Sequence, residues 1–99
     1  MSLELLVTAN AEADLDQAFR WYEDQRLGLG REFLVVVDEH LDRLVENPRH
    51  YPEIHRGLRR ALIRRFPYAI FFLLNAKFVV ILAVRHQARE PFRWPKRRL

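Results

Sequence analysis

The stretch that decides the fold is residues 11–48, AEADLDQAFRWYEDQRLGLGREFLVVVDEHLDRLVENP. Ala11, Leu15, Ala18, Phe19 and Tyr22 fall at i, i+4, i+7, i+8 and i+11, the spacing that lines one face of an α-helix. Thr8 and Asn10 both suit its N-cap, and Glu12, Asp14 and Asp16 follow in the first turns, where the helix dipole favours acids. The helix ends at Leu27-Gly28-Leu29-Gly30, because glycine takes the positive φ of a C-terminal cap without a Cβ penalty. A second stripe then runs through Phe33, Val36, Val37, His40, Leu41, Leu44 and Val45, with Glu32, Asp38, Glu39, Asp42, Arg43 and Glu46 on the outer face. Asn47-Pro48 stops it, since proline disfavours the helical conformation of the residue before it. Two helices joined by so short a link fold into an antiparallel hairpin.

Working outward, Leu3 to Val7 is a short apolar run broken only by Glu4, and it predicts a first strand. Residues 48–57, with Pro48, Pro52, His50, Tyr51, His55 and Gly57, read as loop. Strands are expected at 58–65, 68–74 and 78–84, the last two apolar on both faces and therefore central and covered. Phe66-Pro67 makes a corner, and Asn75-Ala76-Lys77 a tight hairpin turn. The tail, residues 88–99, carries five positive charges, two prolines and two aromatics, and reads as extended or briefly helical. The expectation is an α+β domain over residues 1–99, β-α-α-β-β-β. An N-terminal strand and an antiparallel two-helix hairpin precede a three-stranded antiparallel sheet.

Composition narrows the function. Hydrophobic residues make up 49% of the chain, including seven Phe, which supplies a core. The apolar runs are broken by Arg or Asn well before the ~20 residues of a membrane span. The opening MSLELLVTANAEADL has early acids and no basic n-region, so no signal peptide is expected. Cysteine is absent, which excludes disulfides and thiolate chemistry. His50 and His55 lack the companions of a zinc site, and there is no phosphate loop or nucleophile elbow. The expectation is a cytoplasmic protein with no metal, no cofactor and no membrane partner. His40 and Tyr22 read as packed residues, Trp21 as a partly exposed rim.

Charge is split along the chain. Residues 1–46 hold four Arg against eleven acids, whereas residues 47–99 hold thirteen Lys or Arg against Glu53 and Glu90. Within residues 56–65 there are five arginines and no acid, which is costly in self-repulsion unless an anion offsets it. A polyanionic or acidic partner is expected for this half, with self-association when that partner is missing. A homo-oligomer is left open.

Several short strings resemble one family when taken in this order. Trp21-Tyr22-Glu23 with Gly28-Leu29-Gly30 and Phe33 looks like the first helix and turn of ParE-type plasmid stabilisation toxins. Asn47-Pro48 with Tyr51-Pro52, then Arg59-Arg60 and Arg65-Phe66-Pro67-Tyr68, resemble that family's helix break, strand and corner. Val84-Arg85-His86 with Arg89-Glu90-Pro91 and Trp94 resembles its last strand and tail. The chain is thus similar, over nearly its whole length, to the RelE/ParE superfamily of bacterial toxins. The resemblance implies a toxin neutralised by a cognate antitoxin. In the ParE-like branch it implies binding and inhibition of DNA gyrase. In the RelE-like branch it implies cleavage of messenger RNA on the ribosome.

A metal-independent ribonuclease needs a base, an acid and cations for the charged phosphorus intermediate. Arg60, Arg65 and Arg85 could supply cations, and His86 is the one good acid–base candidate, since imidazole titrates near neutrality. The tyrosine that the RelE-like branch commonly places near its C-terminus is unfilled, because none follows Tyr68. The reading is therefore a gyrase-binding toxin with no catalytic residue of its own. Its partner-binding residues are Arg59, Arg60, Arg64, Arg65, Arg89, Arg93 and Trp94. The alternatives are a ribosome-dependent nuclease using His86 with Arg65 and Arg85, and a non-toxic basic nucleic-acid-binding module.

Overall fold

The computed structural model describes residues 3–88. Strand β1 (Glu4–Val7) leads into helices α1 (Ala9–Gln25) and α2 (Leu29–Glu46). A single 3₁₀ turn, Pro48–His50, then precedes strands β2 (Glu53–His55), β3 (Leu58–Leu62), β4 (Tyr68–Leu74) and β5 (Phe78–His86). The helical hairpin is as the apolar spacing requires. Thr8 is the N-cap of α1, its hydroxyl accepting the Ala11 N–H at 3.1 Å. Among the described residues no helix is long and apolar enough to cross a membrane.

The sheet corrects the expectation of three antiparallel strands. It has five, in the order β1-β5-β4-β3-β2. β1 lies parallel to β5, with Val7 opposite Ile81, while the other pairs are antiparallel. β2 falls inside the stretch that reads as loop. Its three residues are all exposed, so no burial pattern marks it. β3 stops at Leu62, short of the expected 65, because Arg65 adopts a φ of 78° and turns the chain at the corner. Asn75 builds the β4–β5 turn, its side-chain oxygen accepting the N–H groups of Lys77 and Phe78 at 2.9 and 2.7 Å.

One extra residue, Leu82, is inserted between the pairs Phe71–Ala83 and Phe72–Ile81, a β-bulge in β5. Beyond Ile81 the strand β1 has ended, and the first turns of α1 take its place. The Thr8 hydroxyl donates to the Ile81 carbonyl at 2.9 Å, and the Asn10 amide donates to that of Leu82 at 3.2 Å. Asp14 accepts the Val84 N–H at 3.0 Å. Asn10 thus serves the sheet, while Thr8 alone caps the helix.

The helices cover one face of the sheet. Phe33 is fully buried there, with ring centroids 5.3, 5.2 and 5.0 Å from Tyr22, Phe66 and Tyr68. Leu41 and Leu44 extend this core toward Ile70, Phe72, Val79 and Ile81. The opposite face carries a smaller apolar cluster of Leu58, Ala69, Phe71 and Ala83, all from strands.

Candidate functional site

Successive strand residues point to opposite faces, so Arg59 and Arg60 cannot serve one site. Arg59 turns toward the helix side and is committed to its own fold. Its guanidinium donates to the Tyr51 carbonyl at 2.6 Å and lies 3.7 Å from the Glu53 carboxylate, pinning the loop before β2. Arg60 stands on the other face, where it lines a cleft of about 370 Å³ with Leu58, Phe71, Arg85 and His86.

Arg85 is not a free cation. Its Nε donates to Asp14 Oδ2 at 3.2 Å, and that carboxylate is itself mostly buried. His86 Nδ1 accepts the Ala88 N–H at 3.0 Å, which leaves Nε2 to carry the proton of the neutral ring. Its ring packs edge-on against Tyr68 with centroids 5.2 Å apart. Arg65 is elsewhere. The structure therefore brings Arg60, Arg85 and His86 to one cleft and leaves Arg65 out of it.

Arg64 and Arg65 sit on the corner after β3 and face α2 across a second cleft, of about 600 Å³, whose α2 wall is Arg31, Glu32, Val35, Val36, Glu39 and His40. Buried His40 ties the corner down: Nδ1 bonds the Val36 carbonyl at 2.8 Å, and Nε2 accepts the Arg64 N–H at 3.3 Å. Arg65 donates to Glu32 and lays its guanidinium 5.0 Å over the Phe66 ring. Glu32 is bridged a second time by Arg26, 3.5 Å away at the end of α1. These cations, Arg65 first and Arg26 second, hold the Glu32 carboxyl below its usual value.

The basic half is thus partly offset from within, contrary to the expectation of arginines left without counter-charge. Glu32, Asp14 and Glu53 neutralise Arg65, Arg85 and Arg59, whereas Arg60 and Arg64 have no ion pair among the described residues. Sequence reasoning missed both helix-borne acids, since an acid on an outer helical face looks solvated until the sheet is placed beside it. Arg31 and Val35, which complete the second cleft, were equally silent. Arg89, Arg93 and Trp94 lie outside the described residues.

A titration follows from the Glu32 ion pairs. Because the folded-state pKa is lowered, the stability these contacts supply is present above the ordinary value of 4.5 and is lost as pH falls through the folded value. The stability difference between wild type and Glu32→Gln, measured by urea denaturation, should shrink as pH drops below 4.5. A difference that does not shrink on acidification below 4.5 would mean that the pairs do not form in solution.

Comparison with known proteins places this arrangement. The model of the family described as ParE toxin of type II toxin–antitoxin system, parDE, matches residues 5–91. Two curated relatives, both Toxin ParE2 of Mycobacterium tuberculosis (strains CDC 1551 / Oshkosh and ATCC 25618 / H37Rv), are 28% identical over 92 residues, 92% of this chain and 88% of theirs. A chain of the solved structure entitled "Chromosomal ParDE TA system from P. aeruginosa" superposes with a TM-score of 0.77 at 22% identity, covering 85% of this chain and 95% of its own.

Proposed function

The chain belongs to the ParE toxin family of type II toxin–antitoxin systems, and we propose from that premise that it arrests growth by binding and inhibiting DNA gyrase until a cognate antitoxin covers it. The observation that favours binding over nuclease chemistry is that Arg65, Arg85 and His86 do not converge, and that of the candidate cations only Arg60 shares the His86 cleft without an ion pair among the described residues. Arg65 is drawn to Glu32 in one cleft, while His86 and an Arg85 already paired with Asp14 line the other. A phosphoryl intermediate needs its cations and its proton donor around one atom.

The contact residues proposed for partners are Arg60, Arg64 and Arg65 among the described residues, and Arg89, Arg93 and Trp94 in the tail. Arg and Trp are the usual anchors of interfaces. Arg59, committed to Tyr51 and Glu53, contributes through the loop it holds. Growth arrest in cells expressing matched amounts of each variant tests the reading. His86→Ala should keep most of its toxicity, whereas Arg93→Ala with Trp94→Ala should lose it, and purified protein should slow gyrase supercoiling. A nuclease would instead lose about 10²–10⁴ in rate with His86→Ala. That collapse, together with messenger RNA cleaved on ribosomes by the wild type, would replace this reading.

A further inference from the structure

We propose that the cleft between α2 and the Arg64–Arg65 corner seats a carboxylate-bearing, aliphatic segment of the antitoxin, and that Glu32 is an internal stand-in for that segment's acid. This rests on the reading of the chain as an antitoxin-controlled toxin. The cleft mixes two chemistries. Val35, about half exposed, and Val36 make an apolar strip along α2, while Arg31, Arg64 and Arg65 stand around it. An aliphatic side chain placed there removes valine surface from water. A neighbouring carboxylate meets Arg64, which has no ion pair among the described residues. A phosphate backbone fits less well, since Glu32 and Glu39 sit in the same wall and the strip offers it nothing.

Arg65 is held in a way that can be exchanged. It is a non-glycine residue at a φ of 78°, a conformation that persists only when its surroundings insist on it. The backbone there is held by His40 on the Arg64 N–H and by the Ile63 N–H donating to the Tyr68 carbonyl at 2.9 Å, whereas the Arg65 side chain meets the Phe66 ring and the Glu32 carboxylate, an ion pair whose partners are substantially exposed, at 55% and 40%. Exposed pairs contribute little net stability, so an incoming carboxylate displaces Glu32 at small cost. Glu32 retains Arg26 when it lets Arg65 go. The internal acid therefore competes with the partner and weakens its binding.

Isothermal titration of the full chain with its full-length cognate antitoxin at low salt tests this. Glu32→Gln should tighten binding about two- to fivefold, and that gain should vanish in an Arg65→Ala background. Val35→Glu, an exposed change, should weaken binding by about fivefold or more. An unchanged or weaker affinity for Glu32→Gln, or a gain that survives without Arg65, overturns the proposal. Should Glu32→Gln fail to fold by circular dichroism, Val35→Glu and Arg64→Ala carry the test, and full affinity in both overturns it. Variants that change gyrase inhibition at constant antitoxin affinity would assign the cleft to the target and also overturn it. A wild type that does not bind the antitoxin at all sinks the functional reading itself, whereas binding that ignores Glu32 sinks only the cleft.

Discussion

Phe33→Ala is expected to cost about 3–5 kcal/mol, because a fully buried aromatic would be exchanged for a cavity. The ring is the meeting point of both helices and the sheet. Tyr22 comes from α1, Phe66 from the corner and Tyr68 from β4, all within 5.3 Å of it between centroids. No one of these neighbours can collapse into the space without leaving another. Against a total stability of roughly 5–15 kcal/mol for a domain of this kind, the loss is a large share. Urea denaturation measures it directly. A midpoint close to wild type would mean that the helices do not pack on the sheet through Phe33.

Gly30→Ala should be nearly as damaging, although it adds a single methyl. A Cβ at this position would lie 2.5 Å from the Phe19 carbonyl oxygen, 2.7 Å from the Phe19 ring and 2.9 Å from a Glu23 carboxylate oxygen. The first of these is backbone and cannot swing away. The Glu23 carboxylate is also employed, accepting the N–H groups of Gly28 and Gly30 at 2.8 and 2.9 Å and so closing the hairpin turn. Overpacking costs typically about 1–3 kcal/mol and here should reach the upper end, lowering the melting temperature by more than about 10 °C. Gly28→Ala is the contrasting case. Nothing lies within 4 Å of its Cβ, so only the strain of φ +89° is incurred. If Gly28→Ala lowered the melting temperature more than Gly30→Ala did, the close helix approach at Gly30 would be wrong.

The hairpin was legible because Phe33, Val37, Leu41 and Leu44 repeat at a period that only a helix satisfies, and all four are buried. β4 and β5 were legible as apolar runs on either side of a turn-forming Asn75. What could not be read were relations between distant residues. Nothing in Leu5 and Leu6 says that their strand runs parallel to one more than seventy residues later. Glu53-Ile54-His55 carries no apolar alternation because an exposed edge strand buries neither face. The site was half legible. Alternation alone separates Arg59 from Arg60, but the positive φ at Arg65 belongs to a residue with no intrinsic liking for it. The acids that answer Arg65 and Arg85 sit on helices that look solvated in the sequence.

The pairing of β1 with β5 also sets an order of events during synthesis. The first described strand has as its one described neighbour the last described strand, and Thr8 waits for a carbonyl at residue 81. At ~5–20 residues per second, the ribosome needs roughly 4–15 seconds to supply that partner. Until then α1 has neither the sheet edge it completes nor the Val84 N–H that Asp14 receives. Strands β2, β3 and β4 can pair before then, but β4 still lacks one of its two neighbours. The sheet therefore cannot close around α1 until β5 has been made, however early the helices form.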